Sequence, residues 1–451
     1  MKKIFKYLIV FCISLFLLLF TYNLFFGDSI VNYGFSYAIA RGEIPYNDFN
    51  LVLPLFSPWL YAIPLLIYNS SITFYITQAL LLTVLYYLIE KKLGYNIYLF
   101  LLLILFGYPL SLVSGLFPGY NFLLFFLIFI LSYIDKETTN DYLIGFLIGL
   151  SIITKHTIGV FLVIPSIIFY YKDIKKILKR FCGLLIPCLI FLIYLLITKS
   201  FYNFINLCVF GLFDFAKNNS YNNSLLLSLL CIAIIIYFFK VIKKTKRISY
   251  YYLFLTILFI IPLFDVYHLS YFIISFLFVF FENADFKSIV KIPSFICLIF
   301  IICLWTFIMI NYRDYKFVSY KKYPFRYSSD NMIVDYNYLD KVYNKYDNVT
   351  IFLIGTENYF YKFNNNLDIT YFDLPNYGNY GYDSFKMMKR RVDNNKSSYY
   401  LINNMALNSK ASNQQYYKEL VNYIIDNGTF IETNKHYSVY YIEKEVWYEI
   451  Y

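Results

Sequence analysis

Apolar residues along this chain come in long blocks, with the polar residues gathered between them. The blocks are 4–26, 71–89, 97–114, 118–134, 141–154, 157–171, 181–199, 225–239, 251–267, 269–281 and 292–311. A helix that crosses a bilayer needs roughly 20 apolar residues, and shorter ones are tolerated inside a bundle, so the pattern predicts about eleven transmembrane helices. The run PLFSPWLYAIPLLIY (54–68) is apolar too, but it is short and broken by Pro54, Pro58 and Pro64. It predicts an interfacial or re-entrant helix.

The gaps between the blocks carry the direction of the weave. Lys2, Lys3 and Lys6 precede the first block, Lys91 and Lys92 follow the second, and KDIKKILKR (172–180) and KVIKKTKR (240–247) come later. Basic loops face the cytoplasm, which puts the N-terminus inside and the region after the last block outside. The first block is too long for a signal-peptide core and has no small-residue cleavage site, so it reads as a retained anchor. The expected location is therefore the cytoplasmic membrane, crossed many times. The first outer loop runs over residues 27–70, with room for one or two helices lying on the membrane.

Beyond residue 311 the pattern changes. Region 312–451 is rich in Asn, Asp, Lys and Tyr, with strand-like runs at VTIFLIG (349–355), DITYFD (368–373) and SSYYLIN (397–403). A helical stretch, NQQYYKELVNYIIDNG (413–428), ends on a glycine that fits a C-cap, and strand-like FIET and YSVYYIEK follow. The fold class expected is thus a polytopic α-helical membrane domain over 1–311, followed by an extracytoplasmic α/β domain over 312–451.

Composition agrees with the blocks. Of 451 residues, 60% are hydrophobic and 15% charged, against nearly a quarter charged in soluble domains. The net charge of +11 sits mostly in the inter-block loops, so it is a topology signal and not a nucleic-acid footprint. All seven cysteines lie in or beside apolar blocks without C-x-x-C spacing, which suggests neither a disulfide scaffold nor a zinc site.

Against this background a few polar residues stand out at the outer ends of blocks. The first outer loop begins GDSIVNYGFSYAIARGEIPYNDFN (27–50), with Asp28, Arg41, Glu43 and Asp48. Asp28 is either a base shielded by neighbouring helices or an interfacial acid that ends a helix. Arg41 has the donor fork to bind a phosphate, or equally a lipid headgroup. Thr154-Lys155-His156 interrupts two apolar blocks at an outer turn, where Lys155 is either a phosphate ligand or a snorkelling cation. PLFDVYHLSYF (262–272) places Asp265 and His268 at i,i+3 in another outer turn. Each pair could also be a polar turn closing a hairpin. All of them face the outer side under a topology drawn from the lysines alone.

The order G-D, Y-A-I-A-R-G, P-Y-N-D-F and a proline-bearing apolar run resembles the first outer loop of the GT-C superfamily of glycosyltransferases. Family 39 and its relatives, including protein O-mannosyltransferases and lipid A aminoarabinose transferases, share this plan. The resemblance implies that Asp28 is the catalytic base and that Asp48 is a second recurrent acid orienting acceptor or loop. It also implies that Lys155, His156 and His268, with Arg41, hold the donor phosphate, with Asp265 and Glu43 in support. Ser29 follows Asp28 where the family usually has a D-E pair.

The function so implied is inverting transfer of a sugar from a polyprenyl-phosphate donor to an envelope glycan, lipid or protein acceptor outside the membrane. The partners are that donor, that acceptor and membrane lipids, with no nucleic acid. No P-loop, G-x-G-x-x-G, H-E-x-x-H or D-x-D is present. No cofactor is expected, although a divalent ion on Asp28 and Asp48 would suit the oxygen preference of hard cations. The competing expectation is a transporter or flippase of envelope lipid-linked saccharides, a class that places ionisable residues near the bilayer midplane.

Overall fold

A computed structural model describes residues 2–22, 28–93, 118–137, 140–213, 225–261, 264, 266–283, 316–319, 324–327, 336–352, 361–363, 365–373, 381–382, 384–395, 398–404 and 415–443. The chain is mostly helical with a small sheet. It divides into two compact units. The first comprises residues 1–40, 53–197 and 219–315; the second comprises 41–52, 198–218 and 316–451. The C-terminal region thus groups with two earlier segments, the first of them drawn from the expected first outer loop.

In the first unit, every expected apolar block within the described residues is helical. These helices are α1 (Lys2–Tyr22), α2 (Asp28–Ala40), α3 (Phe56–Leu65), α4 (Ser71–Leu93), α5 (Tyr120–Glu137) and α6 (Asp141–Ile152). They continue with α7 (His156–Tyr170), α8 (Ile174–Ile197), α10 (Leu225–Thr245), α11 (Ile248–Ile260) and α12 (Val266–Asn283). Among the described residues only α4 and α8 are long and apolar enough to cross a membrane unaided. The number of spans expected is therefore not reproduced. Several blocks are too short or locally rewound: α7 tightens into a 3-10 turn at Val160–Leu162 and α11 into another at Leu255–Ile260. The blocks 97–114 and 292–311 lie outside the described residues. The proline-bearing run forms α3, whose ten residues reach only about 15 Å.

The tightest packing joins α6 and α8, and glycine makes it close. A Cβ on Gly145 would stand 1.8 Å from the Arg180 carbonyl oxygen, and one on Gly183 would stand 2.1 Å from that of Tyr142. One on Gly149 would meet the Leu184 carbonyl oxygen at 2.5 Å. Gly145 and Gly149 are four apart, the small-residue spacing that lets helix backbones touch. Nothing larger fits this crossing.

Charged side chains of this unit pair at helix ends that the basic loops assign to one face. Lys6 of α1 bonds Glu90 of α4, and Glu282 of α12 meets Arg247 at 3.0 Å and Lys92 at 3.6 Å. Arg180, expected in a basic loop, lies inside α8 and is buried. Its guanidinium forks onto Asp135 of α5 at 2.6 and 3.0 Å and reaches Asp141 of α6 at 2.9 Å. Its Nη1 also donates to Ser166 Oγ at 3.0 Å, and its guanidinium stacks on Tyr170. A buried guanidinium requires such partners, because leaving it unpaired costs several kcal/mol.

The second unit begins with the segment 41–52 and α9 (Phe201–Phe213), which contains a wide turn at Ile205–Phe210. Its C-terminal part holds the hairpin β1 (Lys316–Ser319) and β2 (Pro324–Tyr327), then α13 (Tyr336–Lys345), β3 (Val349–Phe352), α14 (Ser384–Asn394) and β4 (Ser398–Asn403). It ends with α15 (Gln415–Asn427), β5 (Thr429–Thr433) and β6 (Tyr437–Ile442). The sheet order is β3-β4-β6-β5, with β3 parallel to β4 and β6 antiparallel to both its neighbours.

Strand period two sorts the core. Tyr400, Ile402 and Ile442 face a cluster with Met388 and Val392 of α14 and Leu420, Val421 and Ile424 of α15. Leu401, Tyr437 and Val439 face Leu339 and Val342 of α13. Helices therefore cover both faces of the sheet, as an α/β layering requires.

Two details differ from expectation. DITYFD (368–373) is not a strand: the Asp373 carboxylate accepts from Thr370 N at 2.6 Å, closing a turn that competes with sheet pairing. Gly428 follows α15 without a left-handed backbone. Its role is close approach, since a Cβ would sit 2.6 Å from the Ile424 carbonyl oxygen.

Candidate functional site

In the first unit, the chemistry expected at Lys155 rests on how its turn is built. α6 ends at Ile152, and Lys155 adopts an extended backbone before α7 begins at His156. The turn is pinned by Phe56 N donating to the Ile153 carbonyl at 3.0 Å and Thr154 Oγ1 donating to that of Leu150 at 2.7 Å. The Lys155 side chain turns inward, and only 8% of the residue is exposed. Nζ donates to Asn121 Oδ1 at 2.9 Å and lies 5.3 Å from the Tyr120 ring and 5.5 Å from that of Phe259. Lys155 does not snorkel; it is an interior cation among an amide and two aromatic faces.

The same neighbourhood reaches toward α12. Phe259 stacks on Tyr271 at 4.6 Å, and His268 is buried one turn before Tyr271 on the same helix face. Lys155, His156 and the helix bearing His268 are thus parts of one packed region. Asp28 is the first residue of α2, and its side chain lies outside the described residues, as does Asp265. The expected Asp28–Asp48 metal pair falls outside them for the same reason.

Arg41, Glu43 and Asp48 belong to the second unit, where each has a local partner. Arg41 donates through Nε and Nη2 to Asp368 Oδ1 at 3.1 and 2.7 Å. Glu43 Oε1 accepts from Ile369 N at 3.1 Å and lies 3.9 Å from Arg41 Nε. Glu43 Oε2 is buried with no hydrogen-bond partner among the described residues. Burial raises the Glu43 carboxyl to about 8, against the pull of the Ile369 N–H, and nearby Asp368 pushes the same way. Asp48 is exposed, and its Oδ2 accepts from Ile44 N at 2.6 Å, so it closes its own turn.

The segment around Asp48 is held under strain. Tyr46 is fully buried and has a backbone φ of 70°, a left-handed conformation costly for a bulky side chain. Its ring packs edge-on against Phe204 at 5.4 Å. Asn47 Nδ2 donates to the Thr198 carbonyl at 2.9 Å and its Oδ1 accepts from Asn203 at 2.8 Å. Arg391 of α14 then donates to the carbonyls of Tyr46 and Asn47, both at 3.3 Å.

A cavity of about 420 Å³ opens here, wholly within the second unit. α14 lines it with Met387, Arg390, Arg391 and Asn394, a set at helical spacing that shares one face. Met388 and Val392 on the other face enter the core. Asn203, Asn206 and Tyr371 line the remaining walls with others. Sequence reading missed the two arginines. The signal was present in KMMKRRVDNN (386–395), where apolar 388 and 392 alternate with polar 390, 391 and 394 at helical period.

Elsewhere in the second unit, Lys362 and Asp373 form a buried ion pair at 2.6 Å, which Thr370 completes by donating to the same carboxylate. These two residues were not singled out from sequence, because their separation shows no motif. By fold, the chain belongs to the class of two-part proteins that join an apolar helical unit to a small α/β unit. No known protein family, curated protein or solved structure matches it.

Proposed function

We propose that the chain is a membrane-embedded glycosyltransferase. It takes a sugar from a polyprenyl-phosphate carrier and passes it to an acceptor on the outer side of the cytoplasmic membrane. The observation that carries this reading is the Lys155 ammonium, buried at a turn between apolar helices, at the end of the unit opposite its ion pairs. A membrane protein keeps an interior cation where it meets an anion of its substrate or pathway. Here that anion is the phosphate linking sugar to lipid, and His156 and His268 are its further donors.

In this mechanism Asp28, at the head of α2, takes the proton of the acceptor hydroxyl as its oxygen attacks the anomeric carbon. The bond from that carbon to the phosphate oxygen breaks, and Lys155 stabilises the charge left on the phosphate. A single displacement inverts the anomeric centre. Arg41 is engaged by Asp368 and Asp48 by its own turn, so neither is assigned a step in this chemistry.

The test is transfer from a panel of polyprenyl-phosphate sugars by purified wild type, Asp28→Asn and Lys155→Met. Wild-type transfer lost in Asp28→Asn with donor binding kept supports the base. Lys155→Met should weaken donor binding at least tenfold. Full transfer by Asp28→Asn removes the base, and protein-dependent lipid crossing without transfer replaces the reading with a transporter.

A further inference from the structure

The cavity of the second unit has a composition that the transferase mechanism does not use. Arg391 is largely buried, and burial pulls its guanidinium below the usual arginine range. A guanidinium carries five N–H donors. Two of these go to the Tyr46 and Asn47 carbonyls, and the plane stacks on the Tyr371 ring at 3.9 Å. No carboxylate lies within 4.0 Å of it among the described residues, and Asp48 acts on it only from farther away. Arg390, next to it on the same wall, has neither hydrogen bond nor ion pair among the described residues.

Arg391 differs in this from two other buried cations of the molecule, and Arg390 stands exposed beside it. Arg180 and Lys362 each meet a carboxylate directly. A buried positive charge without a counter-ion is costly, and a bound anion removes that cost. The anion has neighbours: Asn47, Asn203, Asn206, Asn394 and Asn395 line the same cavity. Among the described residues all but Asn394 already bond within the fold, but an amide has two N–H groups and two lone pairs and keeps capacity for a ligand. Tyr202 and Tyr371 add aromatic faces. Amides paired with aromatic rings suit a ring bearing hydroxyls on its edge and C–H groups on its face. The volume holds more than a bare phosphate and falls in the range of small-ligand sites.

We infer that this cavity binds a saccharide carrying an anionic substituent, carboxylate or phosphate, with Arg390 and Arg391 on the charge and the asparagines on the hydroxyls. Binding itself does not depend on the transferase reading. Only the further step, that the saccharide belongs to the acceptor, rests on it.

The experiment is calorimetric titration of the full chain in detergent with glucuronate, glucose 1-phosphate, glucose and inorganic phosphate. Glucuronate and glucose 1-phosphate should bind at least tenfold tighter than glucose, and glucose 1-phosphate tighter than phosphate alone. Arg390→Ala, an exposed change with no structural bond to break, should weaken both anionic sugars about fivefold or more and leave glucose unchanged. Asn203→Ala should weaken the sugars and not phosphate. Equal binding of glucose and glucuronate overturns the anionic assignment. Phosphate as tight as glucose 1-phosphate overturns the saccharide, and no binding at all, or an unchanged Arg390→Ala, overturns the site. Because no transfer is measured, a failure here leaves the transferase proposal standing, and the loss of transfer in Asp28→Asn leaves this one standing.

Discussion

Ile167, Ile168 and Ile190 of the helical unit are 48%, 52% and 56% exposed, whereas Tyr400, Ile402 and Leu420 of the α/β unit are fully buried. Apolar side chains thus line the outside of the helical unit as well as its interior. In the helical unit, apolar exteriors surround helices joined by glycine contact and by ion pairs that, among the described residues, gather at one end. In the α/β unit, an apolar core lies between helix and sheet layers, and charges surround it. The helical unit also buries apolar side chains such as Phe74, Phe129 and Leu253, but its apolar exterior gains nothing from contact with water. An exterior of that kind is the feature that the proposed membrane embedding would account for.

The comparison can be broken most severely at Arg180. Arg180→Ala leaves Asp135 and Asp141 facing each other without their cation. The expected loss is about 3–5 kcal/mol, read as lower thermal stability of the detergent-purified chain. A change below about 1 kcal/mol would mean that the helical unit does not depend on its one-ended charges.

A smaller effect is expected in the α/β unit from Lys362→Met. Asp373 would keep its bonds to Thr370 but lose its buried counter-ion, for a cost of roughly 2–3 kcal/mol. Because the two pairs lie in different compact units, Arg180→Ala and Lys362→Met should add in the double variant. Strong non-additivity would show that the two units unfold as one.

The smallest effect concerns pH. Burial raises Glu43 to about 8, above the ordinary 4.5, so the folded state holds a proton that the unfolded chain gives up earlier. The stability from this group is fully present below about 4.5 and is lost as pH rises toward 8. The melting temperature of wild type should fall by a few degrees across that window, and Glu43→Gln should flatten the slope. Equal slopes in the two proteins would remove Glu43 as the cause.

Legibility differed between the units in the same way. Blocks such as 71–89 and 181–199 are visible as helices because each residue's hydropathy reports its surroundings without reference to any other element. In the α/β unit, SSYYLIN and YSVYYIEK were readable as β4 and β6 from β-branched and aromatic content. DITYFD had the same content but folds as a turn, because Asp373 bonds backward to Thr370 and inward to Lys362. Hydropathy could not register that competition.

By itself the sequence determined the helical blocks, the α/β character of the C-terminal region and the placing of Lys155 in a turn. Those are local properties, set by composition and period over a few residues. Only the tertiary structure decided that Arg180 is buried in a carboxylate fork and that Gly145 and Gly183 set a helix crossing. It alone brought Arg390 and Arg391 to a cavity with Asn47 and Asn203. Each of these depends on partners far apart in the chain, and contact across such separations is set by packing.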